Sequence, residues 1–301
     1  MIIYLAGGIS GNLKPIFTET MKIYLAGQNG RRWCIEEYWK LFISKLPENQ
    51  REGYIKIFLA DTGMKQAYIN DDIWKNNSVY ILESFYYVDE WIEKHIPLFK
   101  DFLLDSGAFT FFSNKHIKVD WEAYVDRYAA FIVKHDIKYF FELDIDSIVG
   151  YDKVLELRKR LEEKAGRPCI PVWHKSRGKE EFLKMCDEYK YVAVGGIVSK
   201  EITSDQYPIF TWLINEAHKR GCKIHGLGFT NLEGLKKYNF DSVDSTSWTT
   251  GNRFGSIYHF NGKTMDKYDK KLGQKLADAK TVAVHNFLEW VKFQKYAEIH
   301  L

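Results

Sequence analysis

The sequence predicts an α/β fold, and within that class a (β/α)8 TIM-like barrel with a short N-terminal extension and a C-terminal helical extension. Short apolar runs alternate with segments of helical periodicity, which is typical of parallel strands joined by crossover helices. The apolar runs end in carboxylates or paired glycines, as expected where barrel strands carry reactive groups at their C-terminal ends. The length of 301 residues suits one such barrel. A doubly wound open sheet is the alternative.

The N-terminal part contains a repeated strand-and-turn motif. Ile3–Gly7 and Ile23–Gly27 share the sequence Ile-Tyr-Leu-Ala-Gly, in which an apolar strand runs into a glycine turn. Either both copies are barrel strands, or residues 1–20 are an upstream extension. Residues 31–46 then carry apolar side chains at helical spacing. The elements predicted next are strands Ile55–Asp61 and Ser78–Phe85 and a helix over Tyr86–Phe99.

From residue 101 onward the alternation of predicted strands and helices is regular. Together with the two preceding strands it completes a series of eight, and the helices between them imply parallel pairing with right-handed crossovers. The strands are predicted at Asp101–Gly107, Tyr139–Asp146, Cys169–Lys175, Tyr191–Ile197, Lys223–Phe229 and Asp241–Trp248. The helices are predicted at Trp121–Lys134, Asp152–Ala165, Lys179–Tyr189, Tyr207–Arg220 and Leu232–Tyr238.

The C-terminal segment is basic and is predicted to be helical. We expect residues 1–260 to form the barrel domain and residues 261–301 to form a basic helical tail packed on its outside. An amphipathic pattern runs through Val282–Tyr296. A solvated helix face accounts for clustered lysines as well as a phosphate-binding surface does. The lysines of this segment are Lys263, Lys267, Lys270, Lys271, Lys275 and Lys280.

Composition narrows the class of protein. A hydrophobic content of 46% is ample for a buried core, whereas a net charge of +3 does not by itself indicate a nucleic-acid binder. The four cysteines are far apart and form no C-x-x-C pair, which favours reduced thiols in a cytoplasmic protein. No apolar run approaches the ~20 residues that cross a membrane. The first residues lack the basic region of a secretory signal.

Acidic residues mark the ends of several predicted strands. Asp105 follows Phe-Leu-Leu and is itself followed by Ser106 and Gly107, so it leaves its strand at a turn, with the flat apolar side chain of Phe109 nearby. An ordinary Asp-Ser turn explains this motif equally well. Asp244 ends the last strand before Ser-Thr-Ser, whose hydroxyls can hold a carboxylate ionised.

A second group of acids lies near the end of the predicted strand Tyr139–Asp146. Glu142, Asp144 and Asp146 occupy alternate positions, so on one strand they would face the same side. Three carboxylates in a dry core repel one another, so this place must be open, cation-bearing or proton-sharing. We expect Asp105, Asp144 or Asp146, and Asp244 to meet over one pocket.

Histidines and glycines complete the candidate site. His174 ends one predicted strand and His225 lies in another, and each is a ligand, an acid or a hydrogen-bonded structural histidine. The Gly195-Gly196 pair lets another group approach the backbone closely. The Gly226-Leu-Gly228 turn precedes a predicted helix, where barrels often bind phosphate.

In chain order, these motifs resemble those of tRNA-guanine transglycosylases. Leu103–Phe109 is similar to the Asp-Ser-Gly-Gly-Phe motif of that family, and Val194–Ile197 is similar to its Gly-Gly base-binding turn. Gly226-Leu-Gly-Phe followed by Asp241-Ser-Val-Asp resembles its glycine turn and nucleophile strand. The resemblance covers residues 78–255. No cysteine follows Cys222, so the family's zinc cluster is absent, and the chain looks most like the DNA-acting 7-deazaguanine transglycosylases of phages and bacterial modification clusters.

The resemblance implies a role for each candidate residue. Asp244 would be the nucleophile and Asp105 the general acid and base. No cofactor or metal is implied; the partners would be DNA, or tRNA as the alternative, and a free 7-deazaguanine base as co-substrate, in the cytoplasm. The base would be bound by Ser106, Phe109, Asp144 or Asp146, His174, Gly195 and Gly196, and phosphate or sugar by Gly226 and Gly228.

Two rival functions stay open at this stage. The first is a metal-dependent barrel hydrolase, which would draw its ligands from the acids and histidines of the middle strands. The second is a nucleic-acid-binding subunit without catalytic activity. The ligands available to the hydrolase are Glu142, Asp144, Asp146, His174 and His225.

Overall fold

The computed structural model of the protein divides the chain into two compact units. The first unit contains residues 1–81, 97–101 and 228–301, and the second contains residues 82–96 and 102–227. The residues that the structure describes are 22–26, 80–98, 101–107, 110–111, 119–229, 231–245, 255–270, 282, 285, 286, 289, 290, 292, 293 and 296. The predicted helix over residues 31–46, the strand over Ile55–Asp61 and the repeat copy over Ile3–Gly7 lie outside these residues.

Parallel strands form the centre of the second unit. The strand β3 (Asp101–Asp105) pairs in parallel with β4 (Tyr139–Phe140), and an isolated parallel bridge joins Phe141 to Ile170. The strands β5 (Val172–Trp173), β6 (Tyr191–Val194) and β7 (Lys223–Gly226) pair in parallel in chain order. These pairings confirm the predicted α/β class with parallel strands.

The helices of the second unit begin and end where the sequence has local signals. Asp120 caps the helix Trp121–Lys134 by accepting a hydrogen bond from the Ala123 N–H at 3.0 Å, and Gly166 ends the helix Tyr151–Ala165 in the left-handed conformation. Asp89 caps the helix Glu90–His95, so this helix starts later than the one predicted over Tyr86–Phe99. The helices are α1 (Glu90–His95), α2 (Trp121–Lys134), α3 (Asp146–Val149), α4 (Tyr151–Ala165), α5 (Gly178–Glu188) and α6 (Ile209–Lys219).

A buried tyrosine ties α2 to the strands beside it. Tyr128 is fully buried, and its hydroxyl lies 3.0 Å from both the Leu104 carbonyl and the Phe141 carbonyl. The Leu104 carbonyl also accepts a hydrogen bond from the Phe141 N–H at 3.0 Å, so the hydroxyl contacts both residues of this backbone bond. The hydroxyl therefore secures the ends of β3 and β4 from the helix layer.

In the first unit, a parallel strand pair carries the predicted nucleophile. The strand β1 (Lys22–Ala26) pairs with β8 (Ser242–Ser245) in a register that places Tyr24 opposite Asp244. Between β7 and β8 in the chain, α7 (Leu232–Lys237) begins at Asn231, whose side chain accepts a hydrogen bond from the Gly234 N–H. The first two residues of the strand β2 (Tyr80–Ser84) belong to the first unit and its last three to the second.

The prediction of a purely helical tail is wrong. Residues 256–269 form an antiparallel hairpin of β9 (Ser256–Phe260) and β10 (Met265–Asp269), so the predicted boundary at residue 260 falls inside a pair of bonded strands. Lys263 and Lys267 lie in this hairpin, whereas Lys271, Lys275 and Lys280 lie outside the described residues. Alternation of buried and exposed side chains along Ser256–Phe260 is the strand signal that the lysine pattern obscured.

The side chains of two helical residues, Asn286 and Glu289, protect the backbone of β9. The Asn286 side chain accepts a hydrogen bond from the Tyr258 N–H at 2.8 Å and donates to the Ser256 carbonyl at 2.9 Å. Glu289 accepts from the Phe260 N–H at 2.6 Å. These contacts satisfy backbone groups that an edge strand would otherwise expose to pairing with another chain. Within the described residues, no helix is long and apolar enough to cross a membrane.

Candidate functional site

The turn after β3 holds Asp105 in a defined orientation. The Gly107 N–H donates a hydrogen bond to the Asp105 side chain at 3.1 Å, and Gly107 has a φ of +80°. A Cβ at Gly107 would lie 2.7 Å from the Tyr86 Cβ. The tight turn predicted here therefore requires glycine both for its backbone conformation and for lack of space. Ser106 is fully buried, and its carbonyl accepts the Tyr124 hydroxyl at 2.6 Å. Phe109 lies outside the described residues.

Arginines supply the positive charge for two of the three clustered acids, Glu142 and Asp146. Glu142 is fully buried; one oxygen accepts from Arg177 Nη1 and the Val172 N–H, each at 2.8 Å, and the other accepts from Arg158 Nε at 2.5 Å. Burial raises the pKa of Glu142, but the charges of Arg177 and Arg158 outweigh burial and hold that pKa below its usual range. Glu142 is therefore an ionised structural carboxylate, and each of its oxygens accepts from an arginine.

The acids do not share one strand face as predicted. β4 ends at Phe140, the chain crosses a turn, and Asp146 is the first residue of α3. Asp146 binds Arg177 through both carboxylate oxygens, each at 2.6 Å. The resemblance offered Asp144 or Asp146 as the acid that grips the base, and the structure separates the two because Asp146 is engaged in a bidentate ion pair.

Asp144 belongs to a hydrogen-bonded group of three ionisable side chains. His174 Nε2 lies 2.5 Å from Asp144 Oδ1, and His174 Nδ1 lies 2.7 Å from Glu201 Oε2. Burial lowers the pKa of His174, but the hydrogen bonds to Asp144 and Glu201 outweigh burial and raise it to about 10. The hydrogen bond from His174 lowers the pKa of Glu201 to about 2. At neutral pH this group is an imidazolium between two carboxylates.

The paired glycines pack against this group. A Cβ at Gly195 would lie 2.8 Å from His174 Cε1, and a Cβ at Gly196 would lie 2.8 Å from Glu201 Oε2. The predicted close approach to the glycine backbone is therefore made by the protein's own side chains. The Gly195 N–H donates to the Trp173 carbonyl at 2.9 Å, so it does not fit the predicted backbone contact to a base, which stays a prediction for Gly196.

The first unit contains the predicted nucleophile and part of the glycine turn. Asp244 is 6% exposed, and its side chain accepts a hydrogen bond from the Gly228 N–H at 2.5 Å. Gly228 has a φ of +71°, which aims its N–H at the carboxylate. The turn that was predicted to contact phosphate or sugar thus binds a carboxylate of the protein at Gly228. Gly226 pairs with Val194 in the parallel sheet.

The predicted metal-binding alternative gains no support from the described residues. His225 is fully buried beside the rings of Phe141 and Tyr191, with ring centroids 5.3 and 6.5 Å away. Glu142 and Asp146 bind arginines. Among the residues that the structure describes, no group of three or more His, Cys, Asp and Glu side chains is placed to hold a metal ion.

Four of the predicted base-binding residues therefore lie together, and sequence reasoning missed two that support them. Asp144 and His174 are members of one hydrogen-bonded group in the second unit, and Gly195 and Gly196 pack against it. The missed residues are Glu201 and Arg177. Each is a charged residue in a polar stretch without the hydrophobic periodicity that marks a helix or strand. Asp105 belongs to the second unit and Asp244 to the first.

Comparison with known proteins gives no family assignment. No protein-family model matches the chain, and no curated protein matches it. Among solved structures, a candidate fructose-1,6-biphosphate aldolase from Coccidioides immitis is similar over 91% of this chain and 88% of its own, with 10% identity and a TM-score of 0.47. QR15, an aldolase, covers 59% of this chain and 93% of its own, with 13% identity and a TM-score of 0.35. Neither likeness decides a family or an activity.

Proposed function

We propose that this protein is an enzyme that replaces guanine in DNA with a 7-deazaguanine derivative through a covalent aspartyl-sugar intermediate. One observation carries the proposal: Asp144 and His174, which the resemblance assigns to base binding, are hydrogen-bonded to each other and pack against the Gly195-Gly196 turn, to which it assigns the same role. They come from three separate stretches of the chain, so their proximity does not follow from local sequence. A closed β/α barrel is part of the proposal, and the parallel strands support it.

The charges of this group suit the recognition of a guanine edge. A partly exposed carboxylate accepts hydrogen bonds from the ring N–H and the amino group of guanine. Asp144 and Glu201 keep 23% and 28% of their side chains exposed, so both can be reached from solvent. Both ring nitrogens of His174 are taken by these two carboxylates, so His174 holds the two acids in place. Adenine has no ring N–H on the corresponding edge, so it would make one hydrogen bond fewer to the carboxylates.

Asp244 suits the role of nucleophile. In the first step its carboxylate oxygen bonds to C1′ of the sugar while the C1′–N9 bond to guanine breaks, and Asp105 gives a proton to the departing base. In the second step the incoming base loses its proton to Asp105, its nitrogen bonds to C1′, and the ester to Asp244 breaks. Two displacements retain the configuration of the sugar, as in retaining glycosidases. The N–H of Gly228 donates a hydrogen bond to the Asp244 carboxylate and so orients it.

DNA is the proposed macromolecular substrate. The residues that follow the proposed nucleophile strand contain no cysteine, whereas the tRNA-acting enzymes that the chain resembles carry a cysteine cluster there. A guanine inside a duplex must leave the stack to reach any enclosed site, at a cost of a few kcal/mol. Exchange should therefore be faster on single-stranded or mismatched DNA than on a perfect duplex.

Incorporation of labelled guanine tests the proposal directly. The wild-type protein should incorporate label into DNA and not into tRNA, and denaturation in mid-reaction should leave DNA covalently attached to protein. Asp244→Asn should abolish the adduct and lower exchange by at least about 10³-fold, as removal of a nucleophile does elsewhere. Asp241→Asn changes an acid three residues earlier in the same unit and should leave exchange unchanged. Exchange that persists in Asp244→Asn contradicts the assignment.

Asp105 is tested separately because it belongs to the other unit. Asp105→Asn should slow the breaking of the C1′–N9 bond, because the departing guanine then lacks a proton donor. Substrates that carry a better leaving base should recover much of this loss. A uniform loss across leaving bases would contradict the role of general acid.

A further inference from the structure

In the second unit, side chains of the segment 174–177 bind three acids at alternating positions of the segment 142–146. Arg177 Nη1 binds Glu142 at 2.8 Å, His174 Nε2 lies 2.5 Å from Asp144, and Arg177 binds Asp146 twice at 2.6 Å. One segment covers residues 142–146 and the other covers residues 174–177. The partners of Arg177 thus lie two residues before and two residues after Asp144.

The geometry of Arg177 requires a guanidinium. Its Nε and Nη2 form the pair of bonds to Asp146 while its Nη1 reaches Glu142, so all three nitrogens are engaged. The side chain is 1% exposed and lies over the ring of Tyr151, with 4.3 Å to the ring centroid. A lysine carries a single charged atom and cannot make these bonds in a fixed plane.

Stability alone is a poor explanation for this arrangement. A buried ion pair often contributes no more to stability than apolar side chains of the same volume, because both charges lose their hydration. The pair does, however, fix the relative position of the groups it joins. The backbone N–H of Arg177 also donates a hydrogen bond to the His174 carbonyl at 3.0 Å. The same residue therefore closes the turn that carries His174.

We infer that Arg177 is a positioning residue, which holds Asp144 and His174 in the orientation that recognises the base. This inference rests on the proposed function. Arg177 touches no substrate; it acts by fixing both ends of the segment around Asp144 and the start of the turn around His174. Asp146 belongs to this clamp and not to the surface that contacts the base. Loss of the clamp should weaken base binding more than it slows the chemical steps.

Arg177→Lys tests the inference, with Arg160→Lys as the matched control. Arg160 forms the same kind of bidentate pair with Asp126, at 2.7 and 2.8 Å, but on the surface and away from Asp144. Asp146→Asn removes one arm of the clamp without changing the arginine, and it carries the test if Arg177→Lys does not fold. Thermal unfolding and circular dichroism identify which variants are folded.

Two measurements separate this inference from the proposed function. The first is the ring-nitrogen NMR spectrum of protein labelled with ¹⁵N-histidine, in which the His174 signals are those lost in His174→Gln. The second is steady-state exchange, with KM for the free 7-deazaguanine base and kcat reported separately. We expect Arg177→Lys and Asp146→Asn to move the His174 signals and to raise KM at least about tenfold with kcat within about threefold. Arg160→Lys should match the wild-type protein in both measurements.

Three other outcomes of these measurements would overturn either the inference or the proposed function. Altered His174 signals with no exchange by the wild-type protein would support the clamp and overturn the proposed function. Wild-type signals and wild-type KM in both clamp variants would overturn the inference. A fall in kcat at constant KM would also overturn it, because Arg177 would then act on the chemical steps and not on base binding.

Discussion

His174 should make the stability of the protein fall as the pH rises above neutrality. Its pKa is 6.5 in an ordinary setting and about 10 in the folded chain, because Asp144 and Glu201 hydrogen-bond the charged ring despite burial. A pKa raised by folding means that the folded state binds the proton more tightly than the unfolded state does. The stabilisation is therefore complete below pH ~6.5, declines above it, and is lost as the pH passes ~10.

The expected size follows from the same shift. One pKa unit corresponds to about 1.36 kcal/mol, so the full contribution is roughly 5 kcal/mol. His174 is 16% exposed, so solvent screens these contacts little. About 2.5 kcal/mol of the contribution should disappear between about pH 7 and pH 9, because the free energy of unfolding then falls by nearly 1.4 kcal/mol per pH unit.

Urea unfolding of the wild-type protein and His174→Gln across this pH range measures the effect. Both proteins share every other titrating group, so the difference between their free energies of unfolding isolates the histidine. Glutamine keeps a hydrogen-bonding side chain but carries no charge at any pH. The difference should shrink steadily from about pH 7 to pH 9 with the slope given above. A difference that is constant with pH would refute the charged bridge between Asp144 and Glu201.

Three further substitutions test the packing around the described residues. Gly195→Ala should lower the free energy of unfolding by about 1–3 kcal/mol in urea, because its new Cβ would lie 2.8 Å from His174. Gly107→Ala should lower the free energy of unfolding, measured by calorimetry, by at least as much. The φ of Gly107 is +80°, and a Cβ there would lie 2.7 Å from Tyr86. Asn286→Ala should lower the free energy of unfolding by about 1–3 kcal/mol and speed amide hydrogen exchange in β9, because the Tyr258 N–H and the Ser256 carbonyl lose their partner.

Each of these substitutions has a matched control. Gly195→Ala should lower the free energy of unfolding by less when His174 is also replaced by alanine, since the clash with the imidazole is then removed. Gly166 has a φ of +67° with open space around its Cβ, so Gly166→Ala isolates backbone strain from the clash at Gly107. Equal losses at these two glycines would contradict the clash. Asn286→Asp keeps the acceptor and should protect β9 in part; exchange as fast as in Asn286→Ala would contradict that contact.

Local signals in the sequence were sufficient for most helices. The helix over Trp121–Lys134 has the bounds that were predicted, because Asp120 caps its start and apolar residues recur at helical spacing along it. The strand predicted over Tyr139–Asp146 is shorter, since ladder pairing ends at Phe140 and Asp146 begins a helix. A run of apolar residues does not show where a strand loses its neighbour.

The tail shows how a charge pattern can mislead. Lysines spaced through residues 263–280 indicated a solvated helix, yet residues 256–269 pair as a hairpin. The bonds that Asn286 and Glu289 make to β9 come from residues about thirty positions later in the chain. No local propensity encodes such contacts, because they form after the two segments meet.

The sequence by itself determined the α/β class, the glycine turn after Asp105, and the acids and paired glycines at the strand ends. Those features depend on periodicity and on conformations that few residue types adopt. The tertiary structure alone decided which acid binds which base: Glu142 and Asp146 bind Arg177, whereas Asp144 binds His174. These partners lie about thirty residues apart in the sequence, and three acids in five positions look alike until the folded chain places a charge beside each one.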